Sequence, residues 1–357
     1  MESEIAAKIA DTLQARLTGA EQRAIAARPT EDTEAHQLYL RGRYFEGKRT
    51  KEDLRKAIDY FNQAIGKDSS YALAYAGLAE GYALLREYSS QPAAELLPKA
   101  RAAAEKALAL DNNLAEAHVS LGLVLHDADL NFEGAKREHE HAIKLNPNYA
   151  DAHYFFAFDV LVPLGDFDHA IAEMKRAVEL DPFSLIINAN FGVVYIAARR
   201  YPEAISQLRK TVELDPSVYR SHVFLGRALT LNGRLEEALA EFETPHLPSD
   251  EPYAVASLAH YYALIGEHEK ALQMLERMKE LQQHGNTWPF GFVLLYVGLG
   301  DEDEAINWLE QIYRDKNVAI WGIKVNPLLD PLRSDPRFEA LVQKVQKVMA
   351  PKNASSR

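Results

Sequence analysis

The stretch whose side chains could do metal chemistry is Glu138-His-Glu-His141, with His126, Asp127 and Asp129 a short way upstream. Histidine and carboxylate together suit zinc. On a helix, however, adjacent residues point in different directions. His139 also falls on the place that an internal repeat gives to a bulky core residue, so the packing role is favoured and no metal or other cofactor is expected. Glycines are scattered at turns rather than gathered in a phosphate-binding loop, and no Ser/His/Asp order stands out. The 52 acidic residues read as solvated helix faces, from which no hydrolase pair can be picked. The expectation is a chain that is not an enzyme.

Composition sets the frame for the elements that hold these residues. The 357 residues suffice for two ordinary domains or one long repeat array. Hydrophobic residues make up 47% and charged residues 26%, the balance of a globular chain. A net charge of −12 with no Lys/Arg-rich run repels phosphate backbones, so nucleic acid is not an expected partner. No run of about 18 apolar residues occurs, so no membrane insertion is expected. There are no cysteines, which removes disulfides, thiol catalysis and Cys-ligated zinc. A cysteine-free chain suits reducing and oxidising surroundings alike. A cytoplasmic location is expected, or a periplasmic one if a transmembrane segment lies upstream of this sequence.

The elements themselves announce a period. Ala177-Val-Glu-Leu-Asp-Pro182 recurs as Thr211-Val-Glu-Leu-Asp-Pro216 and Ala142-Ile-Lys-Leu-Asn-Pro147, and more weakly as Ala107-Leu-Ala-Leu-Asp-Asn112 and Ala64-Ile-Gly-Lys-Asp-Ser69. Successive copies from Asn112 onward stand 35, 35 and 34 residues apart, a spacing that means stacked helical repeats. Each repeat reads as two helices. The first carries pairs such as Leu121-Gly122, Phe191-Gly192, Leu225-Gly226 and Leu258-Ala259; the second carries small–bulky–small sets such as Ala135, His139, Ala142 and Ala204, Leu208, Thr211. Small residues let antiparallel helices approach, and the bulky ones fill the groove between them. Gly165, Gly233, Gly266 and Gly300 fall between the paired helices, where a left-handed cap needs glycine. The proline after the second helix ends it.

This pattern resembles the tetratricopeptide repeat family. The family's small eighth and twentieth positions are matched by Gly192 and Ala204, Gly226 and Ala238, Ala259 and Ala271, and with a Val substitution by Val293 and Ala305. Gly122–Ala135 and Ala157–Ala170 are one residue longer, which predicts an extra residue in those turns. The resemblance implies an all-α, right-handed superhelical solenoid of about eight helix-turn-helix repeats with capping helices at both ends. The expected organisation is 1–32 as N-terminal capping or linker helices, 33–317 as the array, and 318–357 as a C-terminal cap helix with a disordered tail. Three departures stand out: a longer turn in the first repeat, a nine-residue insert around Ser89-Ser-Gln-Pro92 in the second, and Pro245 in the sixth, which predicts a shortened helix and a joint at 244–252.

Two flanking stretches extend the resemblance. Leu329-Asp-Pro-Leu-Arg-Ser-Asp-Pro-Arg-Phe338 and Ala35-His-Gln-Leu-Tyr-Leu-Arg-Gly-Arg-Tyr44 look like the closing and opening segments of tetratricopeptide regions in large bacterial signalling and transcriptional regulators. The resemblance implies a protein-binding scaffold whose first helices line a concave face. Counted from the small eighth residue, the lining includes Val119 and Leu123, then Tyr154, Phe158 and Leu161, then Ile186, Val193 and Ile196, then Arg220 and Arg227, and finally His260. An exposed apolar run of this kind marks a binding surface for a protein or peptide partner, and arginines fork onto carboxylates. The alternatives are self-association into a homo-oligomer, a tight superhelix that buries the same side chains, and an in-cis regulatory module of a larger regulator or kinase.

Overall fold

Close approach of paired helices needs residues without side chains at the contact, and the sequence supplies one in nearly every repeat. A computed structural model of the chain describes residues 30–350, except positions 90, 129, 245, 286 and 316. The helices expected before Pro29, the tail from Pro351, and Asp129 and Pro245 lie outside the described residues.

Among the described residues, eight antiparallel helix pairs follow one another. The first four are α1 (Thr33–Glu46) with α2 (Lys51–Lys67), α3 (Ala72–Tyr88) with α4 (Ala93–Leu110), α5 (Ala115–Asp127) with α6 (Phe132–Leu145), and α7 (Ala150–Phe155) with α8 (Phe167–Leu180). The next four are α9 (Leu185–Ala197) with α10 (Tyr201–Leu214), α11 (Tyr219–Leu231) with α12 (Leu235–Phe242), α13 (Pro252–Leu264) with α14 (His268–Gln283), and α15 (Pro289–Leu299) with α16 (Glu302–Arg314). Two 3-10 turns, Val318–Ile320 and Pro327–Ser334, lead into α17 (Pro336–Met349). No strand occurs among the described residues.

The recurring motif acts as a helix stop. The backbone N–H of Asp181 donates to the Ala177 carbonyl at 2.9 Å, and Asp111 and Asn146 repeat the bond to Ala107 and Ala142. Between paired helices the turn needs a left-handed residue, and Gly165, Gly233, Gly266 and Gly300 hold φ between +75° and +82°. The fifth repeat puts Arg199 in that place at φ +60°, which costs an L-residue roughly 1–2 kcal/mol. Its guanidinium forks onto Asp330 of the C-terminal segment, one bond spanning 2.6 Å.

Where the period slips, the chain accommodates the slip in different ways. In the third repeat the extra residue sits in the turn, closed by Asn131 N–H to the Leu125 carbonyl at 2.9 Å. In the fourth the turn keeps the standard closure, Asp166 N–H to the Leu161 carbonyl at 3.0 Å, and the extra residue goes into the helix. There α7 continues as a π-helical stretch, Phe156–Leu161, before Val162–Leu164. The expectation of a longer turn is therefore corrected for this repeat: a π-turn absorbs one residue while keeping Phe156, Val160 and Leu161 in the core. The insert of the second repeat lengthens helices, so that α3 has 17 residues against 13 in α9 and α11. The second helix of the sixth repeat is short, α12 stopping at Phe242 after 8 residues.

One apolar core runs from Leu54 to Leu295 through seven repeats and into the eighth. A second gathers α15, α16, the 3-10 turns and α17, and reaches back to Phe132 of the third repeat, whose ring meets Trp321 edge-on at 5.3 Å. The C-terminal cap is thus seated against the middle of the array as well as its end.

A polar device repeats inside the pairs. The Nε2–H of His118 donates to the Asn112 carbonyl at 3.0 Å while Nδ1 faces the Glu138 carboxylate at 2.7 Å. His153 does the same with Pro147 and Glu173, and His222 with Pro216 and Glu241. In the fifth repeat Asn188 donates to the Pro182 carbonyl and accepts from Gln207 at 2.8 Å, without any charge. For His222 the Glu241 bond raises the pKa above its ordinary value; for His118 burial opposes, and the Glu138 and Asn112 bonds outweigh it.

Two predictions follow from this packing. A Cβ on Gly192 would meet Leu208 Cδ2 at 2.6 Å and Cδ1 at 2.8 Å. Gly192→Ala should therefore destabilise the fold by about 1–3 kcal/mol, although alanine favours an exposed helix by about 1 kcal/mol; equal or higher stability in urea unfolding would refute the close approach. The raised pKa of His222 means that its pair stabilises the fold fully below the unfolded value, about 6.5, and that this contribution is lost as pH rises through the folded value. His222→Asn with Glu241→Gln, copying the fifth repeat, should flatten the slope of stability between about pH 6 and 8 by an amount on the order of 1 kcal/mol, and a pH profile that superposes on the wild type would refute the assignment.

Candidate functional site

The tight winding of the array turns its inner face into a lined interior. Arg43 of α1 reaches Asp151 of α7 at 2.8 Å, bringing the first repeat onto the fourth. The same guanidinium bonds Glu46 and Glu80, and Arg49 approaches Glu80 at 3.4 Å. Glu46 is 1% exposed, and burial pushes its carboxyl up to about 8 against the pull of Arg43. Two guanidiniums thus share the carboxyl groups of Glu46, Glu80 and Asp151. This is the arrangement that lets charge sit in a low-dielectric interior.

The inner-face residues expected from the repeat register divide into two groups. Val119, Leu123, Tyr154, Leu161, Ile196 and His260 are buried. Phe158, Ile186, Val193, Arg220 and Arg227 are half-buried. The first group lines no open groove. The physical reason is the winding: Tyr154 packs against Phe155 and Phe158 and accepts a hydrogen bond from Asn190 at 3.0 Å, and Arg49 stacks over Phe155 at 5.8 Å. The second group keeps part of its surface open to solvent.

The surroundings of the two arginines of α11 come from distant parts of the chain. Arg220 lies over the ring of Tyr88, 4.4 Å from its centroid, and over Tyr253 at 5.3 Å. Tyr88 is the last residue of α3, in the segment lengthened by the insert. Arg227 lies over Tyr253 at 4.4 Å and Trp288 at 5.2 Å, and donates to the hydroxyls of Tyr253 and Ser257. His260, buried beside it, is pushed down to about 3 by desolvation first and the Arg227 charge second. It is neutral throughout the physiological range.

A third cluster joins Arg86, His126, Asp127 and Asp159. Arg86 pairs with Asp127 at 2.7 Å, and Asp127 accepts from His126 at the same distance. Burial lifts Asp159, on the π-turn, to about 7. His139 of the histidine-rich run is fully buried beneath Gly122, with both ring nitrogens unpartnered and its pKa lowered to about 3 by burial. It fills the bulky core place of its repeat. Among the described residues no group of three His, Asp or Glu side chains is disposed to hold a metal, and no helix is long and apolar enough to cross a membrane.

Comparison with known proteins agrees with this architecture. Models of the tetratricopeptide repeat match residues 150–184 and 189–251. The transcriptional regulators HilA of Salmonella typhimurium and Salmonella typhi are each 23% identical over 309 residues, 86% of this chain and 48% of theirs. The chain thus spans about half the length of the curated relatives it matches. Among solved structures, a human IFIT1 dimer with PPP-AAAA shares the fold at a TM-score of 0.54, with 18% identity over 74% of this chain and 69% of that one. TTC0263 of Thermus thermophilus, a tetratricopeptide protein, gives 0.45 at 20% identity over 55% of this chain and 99% of that one. Residues 150–184 and 189–251 thus match tetratricopeptide repeats, the described residues as a whole form an all-α array of helix pairs, and the similarity to a bacterial transcriptional regulator extends over most of the chain.

Proposed function

We propose that this tetratricopeptide-repeat protein is a non-catalytic recognition module that takes a partner segment along the half-buried inner strip. Tetratricopeptide repeats generally mediate protein–protein interactions. One observation carries the reading further: Phe158, Ile186, Val193, Arg220 and Arg227 stay partly open, while Val119, Leu123, Tyr154, Leu161, Ile196 and His260 are buried. Apolar side chains would supply the area, and the arginines would set the register. Exchange of Phe158 for Ser should remove the partner bands that the wild-type chain captures and that mass spectrometry identifies, with the helical circular dichroism unchanged. Unchanged capture by the folded variant would refute the strip.

A second reading concerns context. The alignment with HilA covers most of this chain and about half of the regulator, which favours an in-cis regulatory module of a transcription regulator. The coding sequence upstream of Met1 tests it: an in-frame DNA-binding domain supports the reading, and a stop codon in frame directly before Met1 overturns it.

A further inference from the structure

Every junction from the second repeat to the sixth carries the same polar link. In each, a side chain on the first helix of a repeat joins the carbonyl of the turn before it to the second helix of its own pair. His118 joins Asn112 to Glu138, and His153 joins Pro147 to Glu173. Asn188 joins Pro182 to Gln207, and His222 joins Pro216 to Glu241. The link thus sets each pair against the turn that leaves the repeat before it. Small settings of this kind, added along an array, make up its winding. Both long contacts across the interior span these junctions. Arg43 and Asp151 join the first repeat to the fourth, and Arg220 over Tyr88 joins the sixth to the second.

The histidine links need something that the Asn188 link does not. Both ring nitrogens face acceptors. In His118 these are the Asn112 carbonyl at 3.0 Å and the Glu138 carboxylate at 2.7 Å; in His222 they are the Pro216 carbonyl at 2.9 Å and the Glu241 carboxylate at 2.6 Å. A neutral imidazole has one N–H and satisfies only one of them. Its bare nitrogen would then stand against a carboxylate oxygen, lone pair against lone pair. Each link therefore closes only with one further proton bound between ring and carboxyl group. The Asn188 amide supplies donor and acceptor together, so its junction holds without a proton.

We propose that the three histidine links form a proton-operated switch of the winding: each bound proton holds its junction, and loss of the protons relaxes the superhelix between the second repeat and the sixth. The switch is independent of the partner reading above. His118 faces Glu138 and, through space, Asp111, with the exposed His141 ring edge-on at 4.5 Å. His153 faces Glu173, while Arg176 holds Asn148 of the same turn. His222 faces Glu241, with the exposed His246 ring stacked at 5.8 Å. The pKa values of His118 and His222 are both raised. Their links are complete below the unfolded value, about 6.5, and are lost as pH rises through the folded one. Elsewhere in the wall, burial lifts Glu46 to about 8 and Asp159 to about 7, and both lose stabilisation in the same direction as pH rises. His139 and His260, pushed down to about 3 by burial, are neutral across this range.

The test uses the full chain with spin labels on two introduced cysteines, Glu105→Cys on α4 and Glu236→Cys on α12, which bracket all three links in a sequence without cysteine of its own. Between about pH 6 and 9 the distance between the labels should lengthen by at least about 1 Å and return on acidification. In a neutral variant each histidine becomes Asn and each of Glu138, Glu173 and Glu241 becomes Gln, copying the fifth repeat. There the distance should stay constant. An equal lengthening in that variant would overturn the switch and assign the change to groups such as Glu46 and Asp159. A constant distance in the wild type would overturn it as well. Imidazole resonances of His118 and His222, followed by NMR, should titrate above about 6.5; midpoints at or below that value would remove the bound proton from the links. If the neutral variant does not fold, His118→Asn with Glu138→Gln takes its place. It should shorten the pH-driven change, and a change equal to the wild type's would count against the proposal.

Discussion

Everything in this molecule depends on helices meeting across residues that have no side chain. Gly192 against Leu208, Gly226 against Phe242, and Gly42 with Gly77 around the Phe61 ring are the same contact made three times. Each brings two axes closer than branched side chains would allow. Repeated along the array, the close approach draws the winding tight enough for α1 to touch α7 and for the end of α3 to touch α11. A looser contact would open the superhelix and separate these partners.

Tight winding has an electrostatic consequence. Side chains that would line a wet groove in an open array are drawn into a partly dry interior, where each charge needs a partner. The structure meets the requirement by sharing: Glu80 accepts from both Arg43 and Arg49, and Asp127 serves Arg86 and His126 together. Burial pushes the Glu46 carboxyl up and the His139 imidazole down, disfavouring the charged form of each. Groups shared in this way tie distant repeats together and so fix the winding.

How much of this could be read in the sequence follows from the range of the interactions. The helix pairs, their stops at Asp-Pro and the left-handed glycines are set by contacts within one repeat, and a 34–35-residue period reports them directly. The short α12 was legible for the same reason, since Pro245 stands just beyond Phe242 in the chain. The histidine pairs were also legible in principle. His118 and His153 stand 35 apart, with Glu138 and Glu173 each 20 residues further on, but the pattern says nothing until the turn carbonyl is seen to complete it. The burial of Tyr154, Leu161 and Ile196 was not legible, because it depends on how far the superhelix closes. Closure sums small rotations over many repeats, and no single repeat encodes it.

The places where the repeat rule fails are therefore the informative ones, and two of them converge. The insert of the second repeat lengthens α3 until Tyr88 reaches across the interior. The sixth repeat ends its second helix early and passes through an irregular stretch before α13 begins at Pro252. Between the two lies α11, which carries Arg220 and Arg227. A solenoid gains stability from each regular copy of its unit, so an irregular copy is retained at a cost. Here one irregularity supplies the aromatic plane beneath Arg220, and the other directly precedes the helix that supplies Tyr253 beneath both arginines. The two departures from the repeat thus meet at one helix, α11, which joins the second, sixth and seventh repeats through the rings around its arginines.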